Sequence, residues 1–490
     1  MDDTGPRRLS TDPLRITTEE SQATCQRALA ALRRATAEGE YYGRLFLVGG
    51  FVRDKVRRGD APAADGNAAK SDLDIVLEGD ACALAQYLFD HGVAGHPPVV
   101  YPRFGTAMVV VEGHDVELVT ARVESYAHDS RKPDSVQPGT LAQDALRRDF
   151  TINTLLENLH TGEILDPTGR GVSDLRDEVI RTPTDPATTF IDDPLRMLRA
   201  IRFAARFGYR IDEVTWNAVI AGAHRLQIVS RERIRDEFNK AILSPRPMLA
   251  LTLLRESGLL AEFIPELLEM AGVTQNAFHA YDVWEHTLRA VQNLPIEASL
   301  VVRLAVLYHD IGKPRTKSVD EDGSIHFYRH EDVGSEMARV IMTRLKYSNA
   351  EIDAVSLLVA EHMRIGEYHA SWTDAAVRRL IRDSGTHLED LFAIHAADVS
   401  ALADDNRDMS RAVDLRLRVE EIQSRQDILA LTSPLDGDAI MALLNLKPGR
   451  KVKEAKDFLT QEVIEGRLDQ SDIAGAEALL KHRMGEKNNS

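Results

Sequence analysis

The periodicity of this chain changes once, near Pro186, and that change constrains the fold more than any other feature. Before it, short apolar runs alternate with turn residues, and Leu45–Val48, Leu73–Leu77, Thr106–Val111 and Val116–Thr120 read as strands. Helical patterns cover Cys25–Ala37, Phe51–Arg58 and Ala81–Asp90, while Ala61–Ala69 lacks periodicity and reads as an inserted surface loop. Beyond Pro186 the strand signal stops. Helices are expected to the end, broken near Pro245-Arg246-Pro247, Pro295, Gly323 and Pro448-Gly449. At 490 residues the chain is too long for one core, so an α/β head followed by a long helical body is the architecture predicted.

Composition narrows the class. The most apolar stretch, Ser299–Gly312, is interrupted by Arg303, His309 and Asp310, so no membrane span of about 20 residues is expected. Met1–Arg15 is polar and holds no apolar signal core. Two cysteines, Cys25 and Cys82, exclude a disulfide framework and a cysteine-rich zinc site, and a reducing cytoplasm is the expected setting. The net charge of −17 argues against a surface coated for nucleic acid, yet phosphate contacts depend on local patches and RNA stays open as a partner.

The head carries the first chemistry. Gly49-Gly50-Phe51-Val52-Arg53-Asp54 places two glycines between a strand and a helix start, where backbone amides can approach a phosphate and Arg53 adds charge. In Asp72-Leu73-Asp74 the two carboxylates share one strand face, and like charges held together call for cations such as a pair of magnesium ions. Glu117 is placed to supply the third acid, with Asp115 on its face as the rival. Alone, each of these reads equally as a plain turn or a solvated acid pair.

Their order resembles the polymerase-β-like nucleotidyltransferases of the tRNA CCA-adding and bacterial poly(A) polymerase family. Gly-Gly-x-Val-Arg-Asp with Asp-x-Asp resembles its first motif, and Arg147-Arg148-Asp149-Phe150-Thr151-Ile152-Asn153 its second, which reads the ribose. Asp166-Pro167-x-Gly169 with Asp174-Leu175 is similar to the third, a hinge element. Asp193-Pro194-Leu195-Arg196-Met197-Leu198-Arg199-Ala200 is similar to the fourth, and Arg231-Glu232-Arg233-Ile234 to the fifth. The resemblance implies catalytic carboxylates at Asp72, Asp74 and Glu117, with Asp72 and Asp74 holding Mg2+. It implies nucleotide contacts from Gly49, Gly50, Arg53, Arg148, Asp149, Asn153, Asp193, Arg196 and Arg199. Two departures stand out: Asp192 replaces the family's usual Glu, and the Asp54–Asp72 loop is longer.

The fourth motif has its own physical reading. Asp193 suits a helix N-cap with Pro194 at the first helical position, and Arg196 three residues on shares its face. An Asp acceptor beside Arg donors matches cytosine and adenine and opposes uracil and guanine, whose unpaired polar groups would be rejected. Tyr101-Pro102-Arg103-Phe104-Gly105-Thr106 is nearer the Phe-Gly-Thr of CCA-adding enzymes than the Gly-Arg-Arg-Phe-like segment of poly(A) polymerases. Ser125–Gly139, polar and proline-containing, resembles the flexible loop that switches C to A addition.

A second chemistry follows in Leu304–Lys313, where an apolar helix ends in His309-Asp310, an adjacent pair that metal coordination would satisfy. With His286, His330, His362 and Asp398 the order resembles HD phosphohydrolases. The resemblance implies one metal on His286, His309, Asp310 and Asp398, and a second assisted by His330 and His362. The ion implied is a divalent transition metal, and the activity a phosphatase or 2′,3′-cyclic phosphodiesterase. Guanosine-tetraphosphate synthetase/hydrolases combine both chemistries in the opposite domain order. Lys447–Lys453 forms a basic turn that reads equally as a tRNA phosphate contact or a solvated helix start.

The expected fold is thus α+β and multidomain, a polymerase-β-like α/β head before an all-helical body. Its segments are a flexible N-terminus (1–22), the nucleotidyltransferase head (23–180), a helical neck for base recognition and RNA binding (181–265), an HD domain (266–405) and a helical tail (406–490). The activity implied is C and A addition to tRNA 3′ ends from CTP and ATP, with no membrane partner. The alternatives are a poly(A) polymerase or A-adding enzyme, and an HD phosphohydrolase with an RNA-binding head.

Overall fold

The structure is a computed structural model that describes residues 18–59, 73–126, 133–275, 280–425 and 428–487. The loop 61–69, Asp72 and most of the expected N-terminal segment lie outside the described residues. The chain packs into two compact units, Met1–Arg233 with Glu256–Glu262, and Ile234–Arg255 with Phe263–Ser490.

The first unit opens with α1 (Thr18–Ala35), which begins inside the segment expected to be loose. It continues through β1 (Leu45–Val48), α2 (Gly50–Arg58), β2 (Leu73–Leu77), α3 (Ala81–Asp90), β3 (Val99–Tyr101), β4 (Thr106–Val111) and β5 (His114–Thr120). A hairpin of β6 (Arg122–Tyr126) and β7 (Pro133–Pro138) precedes α4 (Leu141–Leu146), β8 (Leu156–Asn158), β9 (Ile164–Leu165) and α5 (Gly171–Arg176). Then come β10 (Val179–Ile180), α6 (Pro186–Asp192), α7 (Leu195–Phe207), β11 (Arg210–Ile211), α8 (Glu213–Gly222) and the start of α9 (Arg231–Ile242). One sheet of seven strands, in the order β3-β4-β5-β2-β1-β8-β9, organises the head. Only the β2–β5 pairing within it is parallel.

Alternation along each strand gives this sheet two unlike faces. Leu47, Ile75, Ala107 and Leu118 turn to one side, where Leu29 and Leu32 of α1 and Leu84 and Leu88 of α3 cover them. Each such buried Leu or Ile contributes about 1.5–3 kcal/mol. Asp80 fixes the entry to α3 by accepting from the amides of Cys82 and Ala83. The opposite face carries a small buried apolar cluster, Phe46, Val48, Val76, Ala121 and Leu156, and beside it the acids Asp74 and Glu117.

One expectation needs correction. Strands do not end at Pro186, because β11 pairs in parallel with β10, and the second unit contains the antiparallel pair β12 (Lys317–Val319) and β13 (Ile325–Phe327). These two- and three-residue ladders are too short to leave a period-2 signature. Of Ser125–Gly139, expected to be mobile, residues 127–132 lie outside the described residues, and its flanks contribute to the β6–β7 pair, with Val123 opposite Gln137. Its prolines fall at the two ends of β7.

The second unit is helical apart from that pair: α10 (Pro247–Glu256), α11 (Val283–Asn293), α12 (Leu300–Tyr308), α13 (Lys313–Thr316), α14 (His330–Arg344) and α15 (Asn349–Glu361). Six more follow, α16 (Asp374–Ser384), α17 (Leu388–Ser400), α18 (Ser410–Arg425), α19 (Gly437–Leu444), α20 (Arg450–Ile464) and α21 (Ile473–Lys487). Among the described residues no helix is long and apolar enough to cross a membrane.

Backbone contact at one glycine sets the packing of α13 on α14. A Cβ at Gly312 would sit 2.2 Å from the His330 carbonyl oxygen and 2.7 Å from the Gly334 amide nitrogen. Gly312→Ala should therefore destabilise this unit by about 1–3 kcal/mol, as overpacking does. Urea unfolding followed by a second-unit probe checks this, and an unchanged midpoint would contradict the close approach.

Candidate functional site

The open face of the head sheet brings acids into one row. Asp74 of β2 lies opposite Glu117 of β5 in parallel register, so both half-buried carboxylates project from the same face. Val48 of β1 lies opposite Asp74 on the other side, and Gly49 follows it with φ 76°. A Cβ on Gly49 would come 3.4 Å from Asp74 Oδ2, and the positive φ disfavours any L side chain there. The glycine thus lets the start of α2 stand beside the carboxylate, and the helix directs its first amides toward the row. Asp115, on the same face two residues before Glu117, is exposed. Asp72 lies outside the described residues.

Behind this row the second motif is locked by charge. Arg53 is buried, donating from Nη1 to Asn153 Oδ1 at 2.8 Å and from Nε to Asp54 Oδ1 at 2.8 Å. Its guanidinium lies 5.2 and 4.8 Å from the ring centroids of Phe203 and Phe207. Asn153 Nδ2 donates to Asp149 Oδ1 at 2.9 Å, and Arg199 donates to Asp149 Oδ2 from Nε at 2.8 Å and Nη2 at 2.5 Å. Arg53, Asn153, Asp149 and Arg199 therefore form one connected group, and a Cβ on Gly50 would meet Arg53 Nη2 at 3.5 Å. Burial works to raise the Asp149 pKa, but the Arg199 charge and the hydrogen bonds of Asn153 and Arg199 hold it far below the usual carboxylate range.

Arg148 is paired with an acid of α4. Asp144, buried on α4, takes Arg147 on Oδ1 and Arg148 on Oδ2, each through two nitrogens at 2.6–3.1 Å. The sequence signal was present, since Asp followed by Arg at i+3 and i+4 is a helical ion-pair pattern. Desolvation opposes ionisation of Asp144 too, and the two arginines lower its pKa nonetheless. Depressed carboxylates stabilise the fold above their unfolded pKa, near 4, and that contribution is lost as pH falls through their folded values. Asp149→Asn should cost about 1–3 kcal/mol at neutral pH, because it removes the buried charge to which Asn153 and Arg199 donate. The penalty should shrink as pH drops below about 4, where the carboxylates of the unfolded chain protonate. Thermal melts of both proteins from pH 7 to pH 3 check this.

The fourth motif departs from the simple pairing of Asp193 with Arg196. Asp193 Oδ1 accepts from the Leu195 amide at 3.2 Å, as a residue at the entry to α7 should, with Pro194 between them. Its Oδ2 accepts from Arg233 Nη2 at 2.9 Å, a fifth-motif residue not singled out from sequence as a site residue. Arg196 turns to backbone instead, donating to the carbonyls of Thr189 at 3.3 Å and Arg147 at 2.5 Å. Asp193 and Arg196 are thus held by different partners, one across to α9 and one across to the second motif. Neighbourhood in sequence could not reveal either partner.

In the second unit all six residues expected as ligands converge. His286 comes from α11, His309 and Asp310 from the end of α12, His330 from α14, His362 from the end of α15 and Asp398 from α17. Ligand atoms of His286, His309 and Asp398 lie within 4.8 Å of one another, as do those of Asp310, His330 and His362. Asp310 stands between the groups, with Oδ2 at 3.2 Å from His309 Nε2 and Oδ1 at 3.5 Å from His330 Nε2. His309, His330 and His362 each place Nδ1 2.7–2.9 Å from a backbone carbonyl three residues earlier, of Val306, Phe327 and Val359. That contact fixes the ring and aims Nε2 inward, the outer-shell arrangement of metal-bound imidazole. His309 Nε2 is buried without a hydrogen bond, as a ligand atom lacking its ion would be. Burial and the neighbouring His309 push the His362 pKa down to about 3, keeping it neutral for coordination. Residues and geometry fit a divalent metal centre. Lys313, missed in the sequence, is buried beside it, with Nζ 2.7 Å from both Asp310 Oδ2 and Gln275 Oε1.

Residues 45–181 match the family model of the poly(A) polymerase head domain, 208–270 that of the "probable RNA and SrmB-binding site of polymerase A", and 277–428 that of the HD domain. The CC-adding tRNA nucleotidyltransferase of Thermus thermophilus is 34% identical over 351 residues, 69% of this chain and 77% of that one. The A-adding tRNA nucleotidyltransferase of Deinococcus radiodurans is 35% identical over 336 residues, 66% of this chain and 75% of that one. Among solved structures, the Bacillus stearothermophilus CCA-adding enzyme in complex with CTP has a TM-score of 0.66 at 22% identity. That match covers 95% of this chain and 99% of the other, and it shows a shared fold.

Proposed function

This chain belongs to the family of tRNA nucleotidyltransferases built on the poly(A) polymerase head domain, and we propose that it adds C and A to tRNA 3′ ends from CTP and ATP. The observation that carries this is the row of Asp74 and Glu117 beside the glycine start of α2, with the Arg53–Asn153–Asp149–Arg199 group behind it. Asp72, Asp74 and Glu117 act as the catalytic carboxylates, with Mg2+ held by Asp72 and Asp74. The bound ions would polarise the attacking RNA 3′-hydroxyl and neutralise the departing pyrophosphate. The Gly49–Gly50 amides receive the triphosphate, Arg148, Asp149 and Asn153 lie toward the ribose, and Asp193 and Arg196 read the base edge. A cytoplasmic setting suits this work and the two free cysteines.

Addition of only part of the CCA end is the second reading, because two relatives that match over about two thirds of the chain are named as CC-adding in one case and A-adding in the other. Two transcripts separate the readings: one lacking the CCA end and one already ending in CC. Incorporation of label from CTP on the first and from ATP on the second supports complete addition, whereas activity on one transcript alone supports the partial reading.

Asp193→Ala should weaken CTP and ATP use about 10- to 100-fold, the range for losing a charge-assisted hydrogen bond, and relax rejection of UTP and GTP. Competition between labelled nucleotides measures it. Unchanged preference would leave Asp193 as a helix-entry residue and the partner of Arg233.

For the second unit the same centre supports metal-dependent phosphohydrolysis at RNA 3′ ends, with a divalent transition metal on His286, His309, Asp310, His330, His362 and Asp398.

A further inference from the structure

Beyond Glu117 the open sheet face continues into large side chains that stay exposed among the described residues. Met108 of β4 lies opposite Glu117, and Val99 of β3 lies opposite Met108, so Val48, Asp74, Glu117, Met108 and Val99 form one row across the sheet. In the next row Tyr101 lies opposite Thr106, which lies opposite Val119. Met108 is 42%, Tyr101 48% and Val99 53% exposed, high values for large apolar side chains in the strands of a sheet. Phe104, 40% exposed, follows Tyr101 in a turn that Gly105 closes at φ 58°. Arg122 pins that turn by donating to the Phe104 carbonyl at 2.5 Å and to Thr106 Oγ1 at 3.2 Å, and the exposed Arg103 stands beside it.

We propose that Val99, Tyr101 and Met108 form a base-stacking platform for the unpaired 3′ strand of the acceptor RNA. The inference rests on the catalytic reading of the carboxylate row. Nucleotide phosphates belong at the Gly49–Gly50 end of that row, where the start of α2 stands beside Asp74. In-line displacement then requires the attacking hydroxyl to arrive from the opposite side, over Glu117. The strand that carries this hydroxyl must cross β4 and β3. Strand spacing puts Val99 about 10 Å from Glu117, a span for about two or three stacked nucleotides. Apolar and aromatic side chains stack any base without reading it, which suits an end that changes with each addition. Arg103 supplies a charge for the phosphates at the platform's edge.

The test uses the full chain and a tRNA transcript lacking its CCA end, with 2-aminopurine at its last unpaired position. Wild-type protein should quench the probe. Tyr101→Ala with Met108→Ala should lose the quenching and raise the RNA KM about 5- to 150-fold, the effect of losing a base stack, at an unchanged CTP KM and melting temperature. Tyr101→Phe keeps the ring and should bind as wild type. An unchanged RNA KM and unchanged quenching in the double variant would overturn the platform. So would a wild-type dimer in sedimentation that the double variant dissociates, because a second copy would then occupy the β3 edge. Failure of wild-type protein to extend the transcript, with quenching intact, would remove the catalytic reading and leave the platform standing.

Discussion

Asp74→Ala is expected to abolish nucleotide addition while the head stays folded. Asp74 sits in the middle of the acid row, opposite Glu117 and against the glycine that opens α2. Loss of a carboxylate from a two-metal clamp removes several kcal/mol of transition-state stabilisation, about a thousandfold in rate at about 1.4 kcal/mol per decade. Asp74 is only half-buried and occupies the polar face, away from the core of Leu47, Ile75 and Leu118. Thermal stability should hold, and can rise once two like charges are no longer side by side. Glu117→Ala should behave in the same way, whereas Asp115→Ala, on the exposed end of the face, should keep most of its activity. Single-turnover incorporation with melts of each variant gives the answer. A rate above about a tenth of wild type for Asp74→Ala would remove the proposed mechanism.

His309→Ala should separate the two chemistries. Its Nε2 lies 3.2 Å from Asp310 Oδ2 and 3.6 Å from Asp398 Oδ1, so it touches acids of both ligand groups. Its removal should lower metal content and reduce hydrolysis of 2′,3′-cyclic or terminal phosphates at least about a hundredfold, since a His/carboxylate centre depends on each ligand. Nucleotide addition should persist, because the acid row belongs to the other unit. Elemental analysis and both assays on one preparation test this. Loss of both activities would assign the histidine a folding role, and a wild-type protein that holds no metal and cleaves no phosphoester would leave the cluster without chemistry.

The sequence was most legible where pattern and chemistry coincide. Leu73–Leu77 and Thr106–Val111 show clear strand patterns bounded by turn residues, and both strands fall on those residues. The six residues expected as metal ligands were readable because each is a His or Asp in a fixed order, and all six meet. Short elements left no such trace. Val99–Tyr101 is three residues after two prolines, and β6–β7 looked like a loop because its residues are polar. Partners chosen by tertiary packing were also hidden. Arg233 reaches Asp193 from 40 positions away, and Arg53 reaches Asn153 across 100. Lys313 beside Asp310 was local and could have been found, as a lysine one turn after an acid.

The head is expected to extend RNA without a template and to admit only C and A. The direct measurement incubates the full chain with magnesium, a tRNA transcript lacking its CCA end and all four nucleoside triphosphates, then sequences the 3′ ends. The account predicts C, C and A in that order, with no further extension and no U or G. An unextended transcript, a run of A residues, or incorporation of U or G would contradict it.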